Sequence, residues 1–162
     1  MKTKLQGFTL TEVLIVIAIL GVLARIAYPM YIGSIVKAKR TDAQSALVSL
    51  ANAMEQRYTE LSTYKGAAAS GADTGTPDTT VFASQVPVSG GTKTYDLAIC
   101  SATTTTYTLR ARPITEGGTV CSSQTPTQGT SANTFNDGYL ELTNTGVKSC
   151  EFSKACPNNS SW

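Results

Sequence analysis

The chain has 162 residues, with 13 Lys and Arg against 11 Asp and Glu, four cysteines and no histidine; this length suits one domain with an appendage and a real buried core. Lacking histidine, it lacks both the commonest general base and the commonest metal ligand. Lys2 and Lys4 supply the whole charge excess, so the balanced remainder does not indicate a nucleic-acid partner.

The N-terminus reads "MKTKLQGFTLTEVLIVIAILGVLARIAYP". From Val13 to Ala24 there is no charge and one glycine, Gly21, and apolar character resumes after Arg25. A helix over residues 8–36 would be about 44 Å long at about 1.5 Å per residue, enough to cross a bilayer. A secretory signal would carry a small-residue cleavage site after its apolar part, and none is convincing here. A cut after Gly7 would instead discard the leading lysines and keep the apolar rod. Those lysines favour a cytoplasmic N-terminus. Arg25 then lies near the far interface, where its side chain can reach water.

Glu12 is harder to place, because a buried, unpaired carboxylate costs several kcal/mol. One reading leaves it in the cytoplasmic headgroup layer. The other gives it a cation once the helix leaves lipid for a bundle of its own kind: the α-amino group that cleavage creates on Phe8. A buried ion pair of this type is a poor stabiliser but a reasonable register device.

Beyond the apolar block, Ile35, Ala43, Leu47, Leu50, Met54, Tyr58 and Leu61 form one stripe at helical spacing. Lys39, Asp42, Ser45, Ser49, Asn52 and Gln56 occupy the opposite face. One helix of about fifty residues accounts for both halves, with Met54 and Tyr58 read as core. Pro29, near Gly21 and Gly33, marks a place where the rod can kink.

Residues 64–93 are rich in Gly, Ala, Ser, Thr and Pro and read as a long surface connection with a short helical piece. Alternation in "TYDLAIC" (Tyr95, Leu97, Ile99), "TTYTLRARP" (Tyr107, Leu109, Ala111) and "GYLELTNTG" (Leu140, Leu142) predicts strands. Val120 and Cys121 are candidates for a further short strand. Arg110 and Arg112 alternate with the inward residues and fall on a solvated sheet face. The sum is an α+β head, an antiparallel sheet packed on the amphipathic half of the helix.

An even cysteine count behind an export-type N-terminus points to two disulfides. Of three connectivities, Cys100–Cys121 and Cys150–Cys156 are favoured because each closes a short loop, the second within the tail "CEFSKACPNNSSW". Asn158 and Asn159 match the weak glycosylation pattern. The scattered acids make no calcium-loop spacing, and no nucleophile–base arrangement is visible, so neither enzyme activity nor a cofactor is expected.

"GFTLTEVLIVIAILGVLARIAYP" resembles the N-terminal signature of type IV pilins, and "YPMYIGSIVKAKRTDAQSALVSLANAMEQRYTELSTY" is similar to the helix of minor pilins of the PilE type. "YTLRARP" and "DGYLELTNTG" are similar to strands of that group. The resemblance implies the type IV pilin fold. It also implies a leader of residues 1–7 cut between Gly7 and Phe8 by a prepilin peptidase, N-methylation of Phe8, and an assembly role for Glu12 against a neighbour's amine. Pro29 would be the helix kink, residues 8–36 the membrane and filament-core helix, and residues 37–162 the head. The implied partners are other pilin subunits, the pilus assembly machinery and, before assembly, the bacterial inner membrane. Arg25 and Thr11 depart from the family pattern, which usually has apolar residues there. A pseudopilin of a type II secretion system shares the same N-terminal logic. A membrane-anchored periplasmic binding module is the reading from another class, and it leaves Glu12 and the Gly7–Phe8 junction without a purpose.

Overall fold

The computed structural model describes residues 9–114, 120–121, 138–150 and 162. Gly7, Phe8, Cys156, Asn158 and Asn159, about which the sequence raises expectations, lie outside the described residues. The chain divides into two units, Met1–Ala38 and Lys39–Trp162.

Helix α1 runs from Leu10 to Leu61, 52 residues, with Pro29 inside it. It begins two residues later than the apolar pattern suggests, because Thr9 is its cap and not its first turn. Its polar residues are accommodated locally. The hydroxyls of Ser34, Ser45, Ser49 and Thr59 donate to the carbonyls of Met30, Asp42, Ser45 and Gln56, at 2.6 to 3.1 Å. Such bonds to the preceding turn let short polar side chains sit inside a helix. At the C-terminus Ser62 takes a left-handed conformation (φ 55°), and its N–H donates to the Tyr58 carbonyl at 2.8 Å. The left-handed residue turns the backbone out of the helical path, and the helix ends there.

In the unit from Lys39 onward, α1 contributes Ala43, Ala46, Leu47, Leu50 and Met54 to the core. Tyr58 packs partly buried against it. Leu61, expected in the same stripe, is exposed; it falls on the helix's final turn.

Among the described residues the sheet has five antiparallel strands in the order of the chain: β1 (Gln85–Val86), β2 (Tyr95–Ala102), β3 (Tyr107–Pro113), β4 (Leu140–Thr143) and β5 (Lys148–Cys150). Register places Leu97 opposite Ala111, Ile99 opposite Leu109, Leu109 opposite Leu142 and Ala111 opposite Leu140. These inward residues meet the α1 stripe in one cluster, so each strand alternates between that cluster and its other face. The α+β fold expected from the sequence is the fold observed.

Three further expectations are corrected. The segment after the helix is no mere surface connection. Tyr64, Ala67, Ala68 and Val86 are buried, Gln85–Val86 form strand β1, and Gly75 exchanges two backbone hydrogen bonds with Ile99, at 2.8 and 2.9 Å. The free edge of β2 is thereby covered, as an edge must be if it is not to pair with another chain. A short helical turn is present at Ala69–Gly71. Val120 and Cys121 form a turn and not a strand. Arg112 is buried, 6% exposed, and not on a solvated face.

Cys100 and Cys121 form a disulfide with Cα atoms 5.0 Å apart. The register of β2 shifts between Ile99 and Ser101, the two neighbours of Cys100. A bulge re-aims one side chain out of the alternation, and here that side chain is the one that reaches Cys121. Cys150 is also disulfide-bonded; its expected partner lies outside the described residues.

Candidate assembly site

The helix start is built by two side chains. The Thr9 N–H donates to Glu12 Oε2 at 2.9 Å and the Thr9 hydroxyl donates to the same oxygen at 2.8 Å, while the Glu12 N–H donates to Thr9 Oγ1 at 3.3 Å. This is a capping box, threonine before the first turn and glutamate three residues later, each satisfying the other's backbone donor. The acid inside the apolar run is therefore not isolated even in a single chain: one carboxylate oxygen is held by its own helix start. The sequence reading passed over Thr9, although Thr-x-x-Glu before an apolar run is the signal for it.

Past the cap, Val13, Leu14, Ile15, Val16, Ile17, Ile19, Leu20, Val22, Leu23 and Ile26 are all more than half exposed. They point in every direction around the axis, so no single face can be hidden. α1 is long and apolar enough to cross a membrane. An apolar surface of this extent on a soluble monomer would be an association site, and lipid or other helices are the solvents it suits. Arg25 is exposed, and Tyr28 and Tyr31 follow it on the rod, also exposed.

The head is fastened by a different kind of chemistry. Glu55 on α1 accepts from the hydroxyls of Tyr64 (3.0 Å) and Tyr107 (3.0 Å), tying the helix to the following segment and to β3. Tyr64 stacks on Tyr58 with centroids 4.6 Å apart and meets Tyr107 edge-on at 4.8 Å. Burial and the neighbouring carboxylate push the Tyr64 phenol up to about 12 and raise that of Tyr107 as well. Arg57 donates to the carbonyls of Lys65 (3.2 Å) and Gly66 (2.9 Å), holding the turn that brings Tyr64 back onto the helix. Gly66 has φ +69°, and a Cβ there would lie 3.3 Å from the Arg57 guanidinium.

On the sheet, Arg110 Nε donates to Glu141 at 2.8 Å and the guanidinium lies 3.9 Å from the centre of the Tyr139 ring. Lys93 pairs with Asp96. Lys148 lies 4.5 Å from the centre of the Trp162 ring, whose indole N–H donates to the Glu141 carbonyl at 3.2 Å. These cations are each engaged within the head.

Residues 29–125 match the family described as "Type IV minor pilin ComP, DNA uptake sequence receptor". The chain belongs to this minor pilin family. Residues 2–28 match the prokaryotic N-terminal methylation motif, so the two matches together run from residue 2 to residue 125. The helix-and-sheet architecture is that of the type IV pilins.

Among curated proteins the chain is 44% identical over 54 residues to the type II secretion system core protein G of Aeromonas hydrophila, covering 33% of this chain and 38% of that protein. It is 48% identical over 50 residues to the core protein G of Pectobacterium carotovorum, covering 31% and 32%. It is 39% identical over 59 residues to the type IV major pilin protein PilA of Myxococcus xanthus, covering 36% and 27%. The chain thus spans about a third of the length of these relatives.

Proposed function

We propose that this chain is a minor subunit of a type IV pilus, held in the inner membrane by its N-terminal rod until it is drawn into a filament. In this reading a prepilin peptidase removes residues 1–7 between Gly7 and Phe8 and methylates the new amine on Phe8. The head, residues 37–162, stands on the periplasmic side before assembly and on the filament surface afterwards. Pro29 gives the rod a point of bending as it passes from lipid to fibre.

The observation that carries this reading is the apolar rod beginning at a capping box. Glu12 Oε2 is satisfied by Thr9, which lowers the cost of holding the carboxylate near the membrane. A carboxylate has lone pairs for further donors, and the Phe8 amine of an adjacent subunit would take one. A misplaced neighbour would leave both charges unpaired, so the contact selects register.

The test is Glu12→Ala. It is expected to leave membrane insertion and leader cleavage intact while sheared surface filaments lose the subunit almost completely. Mass spectrometry of those filaments reads the N-terminal residue, its methylation and the disulfides together. Equal incorporation of mutant and wild type would remove the role of Glu12.

A second reading concerns what the head meets. The family's description names a DNA uptake sequence receptor, whereas the chain beyond Lys4 is balanced in charge and does not indicate nucleic acid. In the described head, Arg110 is committed to Glu141, Lys93 to Asp96 and Arg57 to backbone carbonyls. DNA binding by the head would need those cations released or others used. Titration of duplex DNA with the purified head at several salt concentrations separates the cases, since phosphate contacts weaken steeply with salt. The pseudopilin alternative draws on the core protein G relatives. The family match through residue 125 includes helix, loop and strands β1 to β3 of the head, and it favours the pilus.

A further inference from the structure

Between Leu10 and Val36 the rod carries two charges, Glu12 and Arg25, of opposite sign. Both are exposed, and Arg25 has no ionic partner among the described residues. Thirteen residues separate them, about 20 Å along the axis at about 1.5 Å per residue. At 3.6 residues per turn they project in directions about 140° apart. They cannot meet within one rod. In lipid Arg25 can extend toward headgroups and water, but among packed rods that route closes and the charge needs a carboxylate.

The geometry points to a heterologous contact between copies of this chain in which Glu12 of one rod receives Arg25 of the next, the rods parallel and displaced by about 20 Å. Charge complementarity chooses the occupant: a second copy presents an acid at the required distance and the same apolar surface on either side of it. Glu12 Oε2 is taken by Thr9 within its own chain, and the other oxygen is the one offered across the interface. Each copy gives its acid to one neighbour and its guanidinium to another on a nearly opposite face. Such a head-to-tail contact with an axial step cannot close into a ring, so two or more copies enter a filament as a short staggered run. The displacement differs from the one that would bring Glu12 to a neighbour's residue 8, four residues away, so the two contacts use different neighbours. The inference rests on the proposal that the rod ends among other rods.

The test uses the full processed chain in detergent micelles, where axial displacement is free, with self-association followed by sedimentation equilibrium. Arg25→Glu and Glu12→Arg are each expected to weaken association about tenfold or more. The double variant Glu12→Arg/Arg25→Glu restores it, because each copy again offers one acid and one base at the same spacing. A photo-cross-linker at position 25 is expected to join the neighbouring chain around residue 12. A double variant as weak as the single ones, or cross-links joining residue 25 to residue 25, overturns the inference. The outcome is separable from the proposed role of the Phe8 amine. If Glu12→Ala still blocks filament entry while the double variant fails to restore association, only the Arg25 contact falls; if association is restored but Glu12→Ala enters filaments freely, only the amine contact falls.

Discussion

The two halves of α1 make the same backbone from opposite instructions. From Leu10 to Tyr31 apolar residues surround the axis and are exposed all round; from Lys39 to Leu61 most of them gather in a stripe, and that stripe is fully buried at Ala43, Leu47, Leu50 and Met54. Helicity is therefore no guide to stability here. The second half gets its stabilisation from packing inside its own chain, while the first can obtain it only from lipid or from other rods.

The sharpest way to break this contrast is a matched pair of truncations. Leu50→Ala removes a fully buried side chain and is expected to destabilise the head by about 2–5 kcal/mol. Leu23→Ala removes an exposed one and is expected to leave head unfolding unchanged within about 0.5 kcal/mol, with its effect confined to membrane or filament association. Thermal unfolding followed by circular dichroism separates them. Equal shifts for the two variants would mean that the rod is packed within the monomer.

A smaller effect is expected at the disulfide. Cys100 and Cys121 are 21 residues apart in sequence, and a closed loop of that length is worth about 3 kcal/mol on chain-entropy arithmetic. Cys100→Ser with Cys121→Ser should lower head stability by that order and leave the rod's insertion into membranes as it was. Denaturant unfolding with and without reductant checks it.

How much of this contrast the sequence disclosed depends on how local its causes are. The change from all-round apolar to striped is a periodicity, and periodicity is written in the chain; so are the alternating strands around Leu97, Leu109 and Leu142. The family signature was legible because glycine, phenylalanine, glutamate and proline fall in register. Strands β1 and β5, of two and three residues, were not legible, because so short a strand is defined by its partner and has no pattern of its own. The same holds for Arg112, whose place in the alternation says which face it shares but not that the face is covered. Leu61 has the right phase, but phase alone does not bury a residue on the last turn of a helix. Thr9 is a different case. Its pairing with Glu12 lies within four residues, and attention to the capping pattern would have found it.

The fastening of the head's helix to its sheet should respond to pH in a way the rod does not. Tyr64 ionises near 10 when free and near 12 in the fold, held protonated by burial first and then by its hydrogen bond to Glu55. Because the folded pKa is raised, the folded state holds a proton that the unfolded state has lost. The contribution is fully present below about pH 10 and disappears as pH rises through about 12. Tyr107 shifts in the same direction for the same reasons. Head stability should therefore fall through this window, with tyrosinate absorbance appearing at higher pH than for free tyrosine. Glu55→Gln keeps an acceptor but removes the charge, and should move that absorbance back toward ordinary pH. No movement would detach the two phenols from Glu55.

The smallest expected effect lies where α1 ends. Ser62 sits in the left-handed region at φ 55°, a conformation that costs any residue with a Cβ and costs glycine little. Its side chain is exposed, so replacement removes no buried surface. Ser62→Gly should therefore relieve native-state strain, offset in part by the greater freedom of glycine in the unfolded chain. The net expectation is a gain of about 0.5 kcal/mol, visible as a slightly higher denaturant midpoint with an unchanged slope. The gain belongs to the head half alone: membrane insertion and self-association of the rod should be the same for both chains. A loss of stability would show that the Ser62 hydroxyl does more at this terminus than its backbone does.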